Sequence, residues 1–225
     1  MNHIELDRVS KTFGERIVLD DLSLQIQKAE RLVLFGPSGC GKTTVLRLVA
    51  GLEVPDQGEI RIADRIVAGS GKNLVPPEKR NVGMVFQDLA LWPHMTVQQN
   101  LMFGLNARSV PKREANLRVG EMLQRIGLEH RMDAKPHQLS GGEQQRVALA
   151  RSLVTHPSIL LMDEPLSSLD DERKRAIASD LLGLQSQLGF TLIYVTHDHA
   201  ETNLLASRVC RMRDVQPADL TYGVK

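Results

Sequence analysis

Two glycine-containing motifs, far apart in one chain, constrain the fold more than any other feature of this sequence. Residues Gly36–Thr43 read GPSGCGKT, and residues Leu139–Gln145 read LSGGEQQ. The first has the spacing G-x-x-x-x-G-K-[ST] of a phosphate-binding loop. The second places a Ser-Gly-Gly turn before a predicted helix, and a helix N-terminus with bare glycines is a second anion site. Two separated phosphate sites indicate that two copies of the chain meet face to face over a nucleotide.

Length and composition are ordinary for a soluble globular protein. A chain of 225 residues with 42% hydrophobic and 24% charged residues buries a full core in one domain, or in one domain with an insertion. The net charge of +1 gives no indication of a nucleic-acid surface. No apolar run has the length of a membrane span, and the first residues lack a signal-peptide profile. Cys40 and Cys210 form neither a disulfide framework nor a zinc motif, so we expect a reduced, cytoplasmic protein.

Short apolar runs alternate with helical stretches, which favours an α/β fold. Buried parallel strands are predicted at Leu32–Phe35, Val82–Phe86, Ile159–Met162 and Thr191–Val195. Runs with period two, typical of half-exposed antiparallel strands, lie at Ile4–Val9, Leu22–Ile26 and Glu59–Ile62. The predicted fold is therefore a P-loop NTPase core with a mainly parallel sheet, an N-terminal antiparallel β layer and an inserted helical subdomain.

The insertion is indicated by the loss of strand patterns between Gln87 and Gln138. Thr96 is a predicted helix start, and Pro111 can occupy the first position of a second helix that ends at Gly127. The apolar stripe expected on this second helix comprises Leu117, Met122, Leu123 and Ile126. We assign residues 88–135 to the helical subdomain and residues 1–87 and 136–225 to the catalytic core.

The first glycine motif lies between a predicted strand and a predicted helix, which is the context that a phosphate loop requires. Its backbone amides would surround the β-phosphate, Lys42 would reach the β and γ oxygens, and the Thr43 hydroxyl would ligate Mg²⁺. The alternative is a plain glycine turn between strand and helix. Candidate nucleotide-binding residues here are Gly36, Pro37, Ser38, Gly39, Cys40, Gly41, Lys42 and Thr43. Cys40 is also expected to be thiol-reactive, since a helix N-terminus and a nearby lysine lower a thiol pKa.

Polar residues follow three of the predicted strands and are candidates for chemistry. Asp163 can hold Mg²⁺ and Glu164 can polarise a water for attack on the γ-phosphate, although acids are also ordinary at strand exits. Gln87 can orient a water or touch Mg²⁺, or it can be a solvated loop residue. His197 can hydrogen-bond the γ-phosphate at the carboxyl edge of the sheet, or it can face solvent.

Phe13 and Asp170 are further candidates. An exposed aromatic ring at Phe13, in a turn between alternating strands, could stack on adenine, or it could cover a small core. Asp170 could cap the following helix or contact a facing subunit, and these roles are compatible.

The order and spacing of these motifs resemble the nucleotide-binding subunit of ATP-binding cassette (ABC) transporters. The motifs are GPSGCGKT, Gln87, LSGGEQQ, ILLMDE, SSLD and THD, and the resemblance extends to about Arg208. It implies a Walker A loop from Gly36 to Thr44, so that Thr44 joins the candidate nucleotide-binding residues. It also implies a Walker B pair of Asp163 and Glu164. It also implies a signature motif of Ser140, Gly141, Gly142 and Glu143.

The same resemblance assigns the remaining roles. Phe13 falls on the adenine-stacking loop, Gln87 on the Q-loop, Asp170 in the dimer-contacting loop 167–170, and His197 on the switch histidine. It implies ATP and Mg²⁺, with Thr43, Gln87 and Asp163 as the metal ligands and with Glu164, His197 and Gln87 as the catalytic residues. It further implies a head-to-tail homodimer in which the signature of one copy caps the γ-phosphate held by the other.

A narrower resemblance is carried by Phe86–Val97, which reads FQDLALWPHMTV. It is similar to the importer branch that serves sugars, polyamines, iron and oxyanions, without the C-terminal β domain that those importers carry. The partners implied are integral membrane permease subunits and, indirectly, a substrate-binding protein, with the chain peripheral on the cytoplasmic face of the cell membrane. Trp92 is expected in the surface that docks the permease, the alternative being a core position in the helical subdomain.

Two other classes of protein carry a phosphate loop. A soluble cassette ATPase that acts on nucleic acid or ribosomes would usually have coiled coils, zinc modules or a second cassette, and the near-neutral charge argues against it. A lone P-loop kinase would have no use for the second glycine motif. We therefore expect no nucleic-acid partner.

Overall fold

Strands and helices alternate along most of the chain, as predicted. The computed structural model describes residues 2–69, 71–167, 169–212 and 222–223. The strands are β1 (Asn2–Phe13), β2 (Arg16–Gln27), β3 (Arg31–Phe35), β4 (Gln57–Ile62), β5 (Arg65–Gly69), β6 (Lys72–Asn73), β7 (Val82–Val85), β8 (Ile159–Asp163), β9 (Thr191–Thr196), β10 (Arg208–Arg211) and β11 (Tyr222–Gly223). The α-helices are α1 (Lys42–Ala50), α2 (Val97–Ala107), α3 (Lys112–Arg125), α4 (Gly141–Leu153), α5 (Asp171–Leu188) and α6 (His199–Leu205). Within these described residues, no helix combines the length and apolarity needed to cross a membrane.

A mainly parallel sheet forms the centre of the fold. Its strand order is β11-β10-β3-β9-β8-β7, and only β11 is antiparallel to its neighbour. The four predicted parallel strands are confirmed as β3, β7, β8 and β9, with small differences at their ends. The carboxyl ends of parallel strands share one edge, so the segments that follow these four strands meet there. This edge carries the phosphate loop, Gln87, Glu164 and His197.

Alternate residues of the parallel strands pack into two separate cores. Ile159 and Leu161 belong to one hydrophobic cluster, which includes residues of α1 and the antiparallel strands. Leu160 and Met162 belong to the other cluster, which includes residues of α2, α3, α4 and α5. Both faces of the sheet are therefore covered, which explains why these strands read as continuous apolar runs in the sequence.

The N-terminal antiparallel layer is confirmed as a sheet with the order β2-β1-β4-β5-β6. Its first two strands are longer than the alternating runs that predicted them. The β1–β2 pairing contains register shifts, and Arg8 and Asp21 adopt positive φ angles of 49° and 50°. Such bulges bend the strands and interrupt the alternation of buried and exposed residues, so the sequence pattern revealed only their regular parts.

The helices of the insertion begin and end close to the predicted positions. Thr96 is the N-cap of α2, in a capping box with Gln99, and α3 ends just before Gly127, which has φ +68°. The predicted stripe on α3 is wrong at Leu117, whose exposed fraction is 60%. The buried positions are Ala115, Val119, Met122 and Leu123. Leu117 follows Ala115 by two residues, which places it on the opposite side of the helix.

A buried arginine that the sequence analysis missed joins α1 to the antiparallel sheet. Arg80 is only 3% exposed, and burial lowers its pKa to about 10. Its guanidinium donates to oxygen acceptors of Leu48, Val49, Val67, Asn73 and Val75. Two of these acceptors, the carbonyls of Leu48 and Val49, lie in the last turn of α1, where a cation also complements the helix dipole. Arg80 thus anchors the helix that begins at the phosphate loop.

Candidate nucleotide site

The loop between β3 and α1 has a shape that only glycine permits at two positions. A Cβ atom at Gly36 would lie 2.2 Å from the carbonyl oxygen of Met212. Gly41 has φ +94°, and a Cβ atom there would lie 2.8 Å from a Leu19 methyl group. The close packing and the left-handed backbone together explain these glycines. The loop therefore turns tightly into α1, with its backbone close to neighbouring segments.

Lys42 lies at the first position of α1 and folds back over this loop. Its side chain is 4% exposed, and its Nζ donates to the carbonyl oxygens of Gly36 at 2.7 Å and Pro37 at 2.8 Å. The same Nζ is 4.0 Å from Oε1 of Glu164. An ammonium group held in this way lies within the loop and is available to phosphate oxygens that enter it.

A cavity of about 340 Å³ separates the phosphate loop from the β1–β2 hairpin. Its lining includes Phe13 and Arg16 of the hairpin, Glu164, and the residues from Ser38 to Thr44 other than Cys40. Phe13 is 45% exposed, and the Nζ of Lys11 lies 5.1 Å from the centre of its ring. The cavity therefore offers an exposed aromatic ring together with a glycine-rich loop, which suits a ligand with both a flat base and phosphates.

Oxygen ligands for a divalent cation meet beside the loop. The Thr43 hydroxyl donates to Oδ1 of Asp163 at 2.9 Å. Burial raises the pKa of Asp163, with the Thr43 hydrogen bond opposing the shift. No group of three or more His, Cys, Asp or Glu side chains suited to a metal is present in the described ranges. A carboxylate and a hydroxyl nevertheless match Mg²⁺, which is usually held by one or two protein oxygens together with water and substrate phosphates.

Glu164 and His197 form a direct contact at the carboxyl edge of the sheet. The His197 Nδ1 lies 2.9 Å from Oε2 of Glu164. Glu164 has φ +45°, an uncommon conformation for a residue other than glycine, and its backbone N–H donates to the Val195 carbonyl. The local backbone thus directs the second acid of the Asp163–Glu164 pair toward the loop that carries the histidine.

Gln87 lies at the same sheet edge but does not line the cavity. It is exposed and follows β7, whose Val85 pairs with Met162 of β8. Asp88 comes next, followed by Leu89 and Ala90, which both have positive φ angles. Arg151 of α4 donates hydrogen bonds to the carbonyl oxygens of Leu89 and Ala90. The segment after Gln87 is therefore attached to the helix that follows the second glycine motif.

The second glycine motif begins α4, as predicted. Ser140 is the N-cap and forms a capping box with Glu143. Hydrogen bonding with Ser140 is the main cause that lowers the pKa of Glu143, and Arg131 lies 3.3 Å from the same carboxylate. None of Ser140, Gly141, Gly142 and Glu143 lines the cavity beside the phosphate loop. A single copy of the chain therefore does not bring the two glycine motifs to the same cavity.

Two other predicted residues have clear local roles. The Oδ1 of Asp170 accepts from the Arg173 backbone N–H at 3.0 Å, which confirms that Asp170 caps α5. Ser168, in the same predicted loop, lies outside the described residues. Cys40 is 2% exposed and belongs to the core beneath the loop. The burial of this side chain contradicts the expectation of a thiol-reactive Cys40, because a thiol that packs inward is closed to reagents that enter the cavity.

A charge network that was not predicted from the sequence lies behind the histidine. The Nζ of Lys174 lies 2.6 Å from Oδ2 of Asp198 and 3.0 Å from Oε1 of Glu201. Glu201 is 2% exposed and accepts hydrogen bonds from the hydroxyls of Tyr194 and Thr196, both at 2.8 Å. Asp198 and Glu201 lie three residues apart at the start of α6, and this spacing is a sequence signal that could have indicated a shared cation. The network joins α5, β9 and α6 next to His197.

Comparison with known proteins gives the family. Residues 19–167 match the family model described as ABC transporter, and the chain belongs to that family. The ATP-binding cassette predicted from the sequence is thereby confirmed as the class of this protein.

The similar proteins include ATP-binding subunits of import systems. The chain is 47% identical over 213 residues to the trehalose/maltose import ATP-binding protein MalK of Thermococcus litoralis, and 48% identical over 209 residues to the spermidine/putrescine import ATP-binding protein PotA of Lawsonia intracellularis. These alignments cover 94% and 93% of this chain but 57% and 55% of the relatives, so the chain spans little more than half of their length.

A solved structure supports the fold. The chain is similar to cbiO1 of Clostridium perfringens, described as part of the ABC transporter complex cbiONQ. The TM-score is 0.86 at 29% identity, and the alignment covers 96% of this chain and 87% of the other. The predicted α/β fold with a parallel sheet and an antiparallel layer is therefore confirmed.

Proposed function

We propose that this chain binds and hydrolyses ATP and that hydrolysis powers a membrane transporter, most readily an importer. The observation that carries the proposal is the meeting of Lys42, Thr43, Asp163, Glu164 and His197 around the phosphate loop. In this assignment Phe13 stacks on adenine, while the loop from Gly36 to Thr44 holds the phosphates. Nucleotide lies in the cavity between them.

Glu164 is proposed as the general base. Its carboxylate takes a proton from a water molecule whose oxygen forms a bond to the γ-phosphorus, and the bond from that phosphorus to the bridging oxygen of ADP breaks. Lys42, whose ammonium is 4.0 Å from Glu164, stabilises the charge that develops on the phosphate oxygens. His197 orients the base through the 2.9 Å contact and hydrogen-bonds the γ-phosphate.

Mg²⁺ is the proposed cofactor. Thr43 and Asp163 would hold it, with Gln87 at the same sheet edge as an additional ligand. The fit rests on the oxygen chemistry of the Thr43–Asp163 pair and on the partial burial of that carboxylate, which raises its pKa and favours a cationic partner. When bound, Mg²⁺ would neutralise charge on the phosphates.

A homodimer is proposed because nothing among the residues that the structure describes explains the glycines of the second motif. Among the described residues, a Cβ atom at Gly142 would meet no atom within 4 Å, and one at Gly141 would meet only a Leu169 methyl group at 3.9 Å. Neither has a positive φ. Bare glycines at the start of α4 leave its first backbone N–H groups open to an approaching anion. We infer that this anion is the γ-phosphate held by Lys42 of a second, head-to-tail copy.

The permease is the proposed membrane partner, docked on the helical subdomain of residues 88–135, with the core formed by 1–87 and 136–225. Trp92 is half-buried, its ring centre is 4.2 Å from that of Phe103, and Phe103 is 46% exposed. Trp92 belongs to neither hydrophobic core, which favours the docking interpretation over the core alternative. The import names of the relatives support import, an indirect link to a substrate-binding protein, and a position on the cytoplasmic face of the membrane.

The test compares Glu164→Gln and Asp163→Asn in the purified chain. Glu164→Gln keeps size and shape but removes the base, so hydrolysis should fall by about 10²–10⁴-fold while ATP affinity persists. Uncleaved ATP should then hold the variant as a dimer in size-exclusion chromatography with Mg·ATP. Asp163→Asn should weaken Mg²⁺ binding and give no stable dimer. The exposed Glu121 provides a matched control, Glu121→Gln. A monomeric Glu164→Gln protein with wild-type hydrolysis would remove Glu164 from the mechanism.

A further inference from the structure

Arg16 lies between the two ends of the candidate nucleotide cavity. It is the first residue of β2 and pairs across the hairpin with Phe13. Its Nη2 donates to the carbonyl oxygen of Gly39, in the phosphate loop, at 3.0 Å. Arg16 therefore lies beside Phe13 in the sheet, and its side chain reaches the phosphate loop. It also lines the cavity.

No acid in the part of the chain that the structure describes pairs with this guanidinium. In the described ranges Arg16 forms no ion pair, and its side chain makes one hydrogen bond, to the Gly39 carbonyl. An arginine has five N–H donors in a planar fork, so the donors that remain can bind an anion. Arg16 is exposed and meets solvent at the wall of the cavity, where such an anion can reach it.

We propose that Arg16 binds the α-phosphate of the nucleotide. The proposal rests on the nucleotide site proposed above, in which the base stacks on Phe13 and the terminal phosphates enter the loop at Lys42. In a nucleotide, the α-phosphate is the anionic group between the base and the terminal phosphates. In the protein, Arg16 is the cation between Phe13, which would contact the base, and Lys42, which would contact the terminal phosphates. Its bond to the Gly39 carbonyl fixes the planar fork, so little ordering is needed on binding.

The test uses Arg16→Gln, which keeps a hydrogen-bond donor but removes the charge. ADP affinity of the purified chain, measured by calorimetry, should fall about tenfold at low ionic strength. Because the contact is exposed, the wild-type advantage should shrink between about 50 mM and about 300 mM salt. AMP, whose only phosphate is the α-phosphate, should lose the same factor in a competition titration.

A matched control exists in the same sheet. Arg65 is the first residue of β5, pairs across its own two-residue turn with Ile62, is exposed, and does not line the cavity. Arg65→Gln should leave ADP affinity and its salt dependence unchanged. Arg16→Lys, which keeps the charge, should retain most of the affinity and the wild-type salt dependence, and it serves if Arg16→Gln does not fold.

Three results would overturn the proposal. The first is an ADP affinity of Arg16→Gln within twofold of wild type, and the second is a loss of ADP affinity without a loss of AMP affinity. The third is a lower melting temperature of Arg16→Gln without nucleotide, together with the wild-type salt dependence of ADP affinity. The last would make Arg16 only a structural link between β2 and the loop. Lys42→Ala separates these results from a wrong site: it should weaken ADP binding if the cavity is the nucleotide site, whatever Arg16 does.

Discussion

The imidazole of His197 contacts the carboxylate of Glu164, with Nδ1 2.9 Å from Oε2, while the Lys42 ammonium lies 4.0 Å from Oε1 of the same carboxylate. Glu164 is therefore held from two sides by groups that come from different strand ends. His197 is the more exposed partner, with 57% of its side chain accessible against 19% for Glu164. Loss of the histidine would leave the carboxylate directed only toward Lys42.

His197→Ala should therefore lower ATP hydrolysis by about 10²-fold without a matching loss of nucleotide affinity, because Glu164 would lose its orientation while the phosphate loop stays intact. Steady-state hydrolysis and calorimetric ADP binding check the two parts separately. His94→Ala, at an exposed histidine of the insertion, is the control. Equal losses of affinity and of turnover would instead indicate that His197 acts in nucleotide binding.

Lys174→Met should destabilise the chain and slow hydrolysis together. The substitution leaves Glu201, which is 2% exposed, without its cation, and breaking a buried ion pair costs about 3 kcal/mol. It also frees Asp198, the residue after His197, so turnover should fall more than ADP affinity. Lys174→Arg should restore both stability and turnover. Full activity in a destabilised Lys174→Met protein would show that the network supports the fold alone.

The ion pair between Lys174 and Asp198 predicts that the stability of the fold depends on pH. The hydrogen bond from Lys174 is the main cause that lowers the pKa of Asp198, so its stabilisation exists above the unfolded pKa and is lost as pH falls through the lower folded pKa. The Asp198 hydrogen bond is the main cause that raises the pKa of Lys174, so stabilisation is lost as pH rises through that higher value. Urea denaturation of wild type and of Lys174→Met should be compared from acidic to basic pH. The difference between their free energies of unfolding should be largest near neutral pH and smaller at both extremes.

Sequence patterns predicted the parts of this protein that depend on neighbouring residues. The phosphate loop, the helix start after Ser140, the cap at Asp170 and the acid pair at the end of β8 were predicted because spacing, capping chemistry and apolar runs are local signals. Lys174 and Glu201 are in contact but lie on different helices, so no local pattern indicates that they pair. The buried position of Arg80 could not be predicted for the same reason. Four of its five hydrogen-bond acceptors are backbone carbonyls, whose positions the sequence does not specify. Cys40 was misjudged because the direction of its side chain depends on packing.

Arg80→Met should lower the free energy of unfolding by roughly 3 kcal/mol, because several buried carbonyl oxygens would lose their donor at once. Since Leu48 and Val49 end α1, nucleotide affinity should fall as well, through the position of the loop at the other end of that helix. Urea denaturation and ADP titration measure the two effects. Arg80→Lys should recover part of the stability, and an unchanged midpoint for Arg80→Met would contradict the anchoring role.

Trp92→Ala should leave hydrolysis by the isolated chain intact and weaken transport in membranes that contain the permease. The ring is half-buried against Phe103 and lies 4.9 Å from the Arg151 guanidinium, whose helix begins at the second glycine motif. Large aromatic anchors at such surfaces carry much of a binding free energy. Leu117→Ala, at an exposed apolar residue of α3, is the comparison. Loss of folding or of intrinsic hydrolysis in Trp92→Ala would favour the core alternative.

Gly142→Ala offers a test of the homodimer that folding defects cannot imitate. In the part of the chain that the structure describes, a Cβ atom at this position meets nothing within 4 Å. Replacing a helical glycine by alanine stabilises a helix by about 0.5–1 kcal/mol. The melting temperature should therefore stay or rise, and ADP should bind normally. Hydrolysis should nevertheless fall by about 10²-fold, because the added methyl group keeps the α4 N-terminus from the γ-phosphate held by a second copy. Gly120→Ala on α3, which also meets open space, should leave hydrolysis unchanged. Wild-type hydrolysis in Gly142→Ala would show that the second glycine motif does not approach the phosphate of another copy.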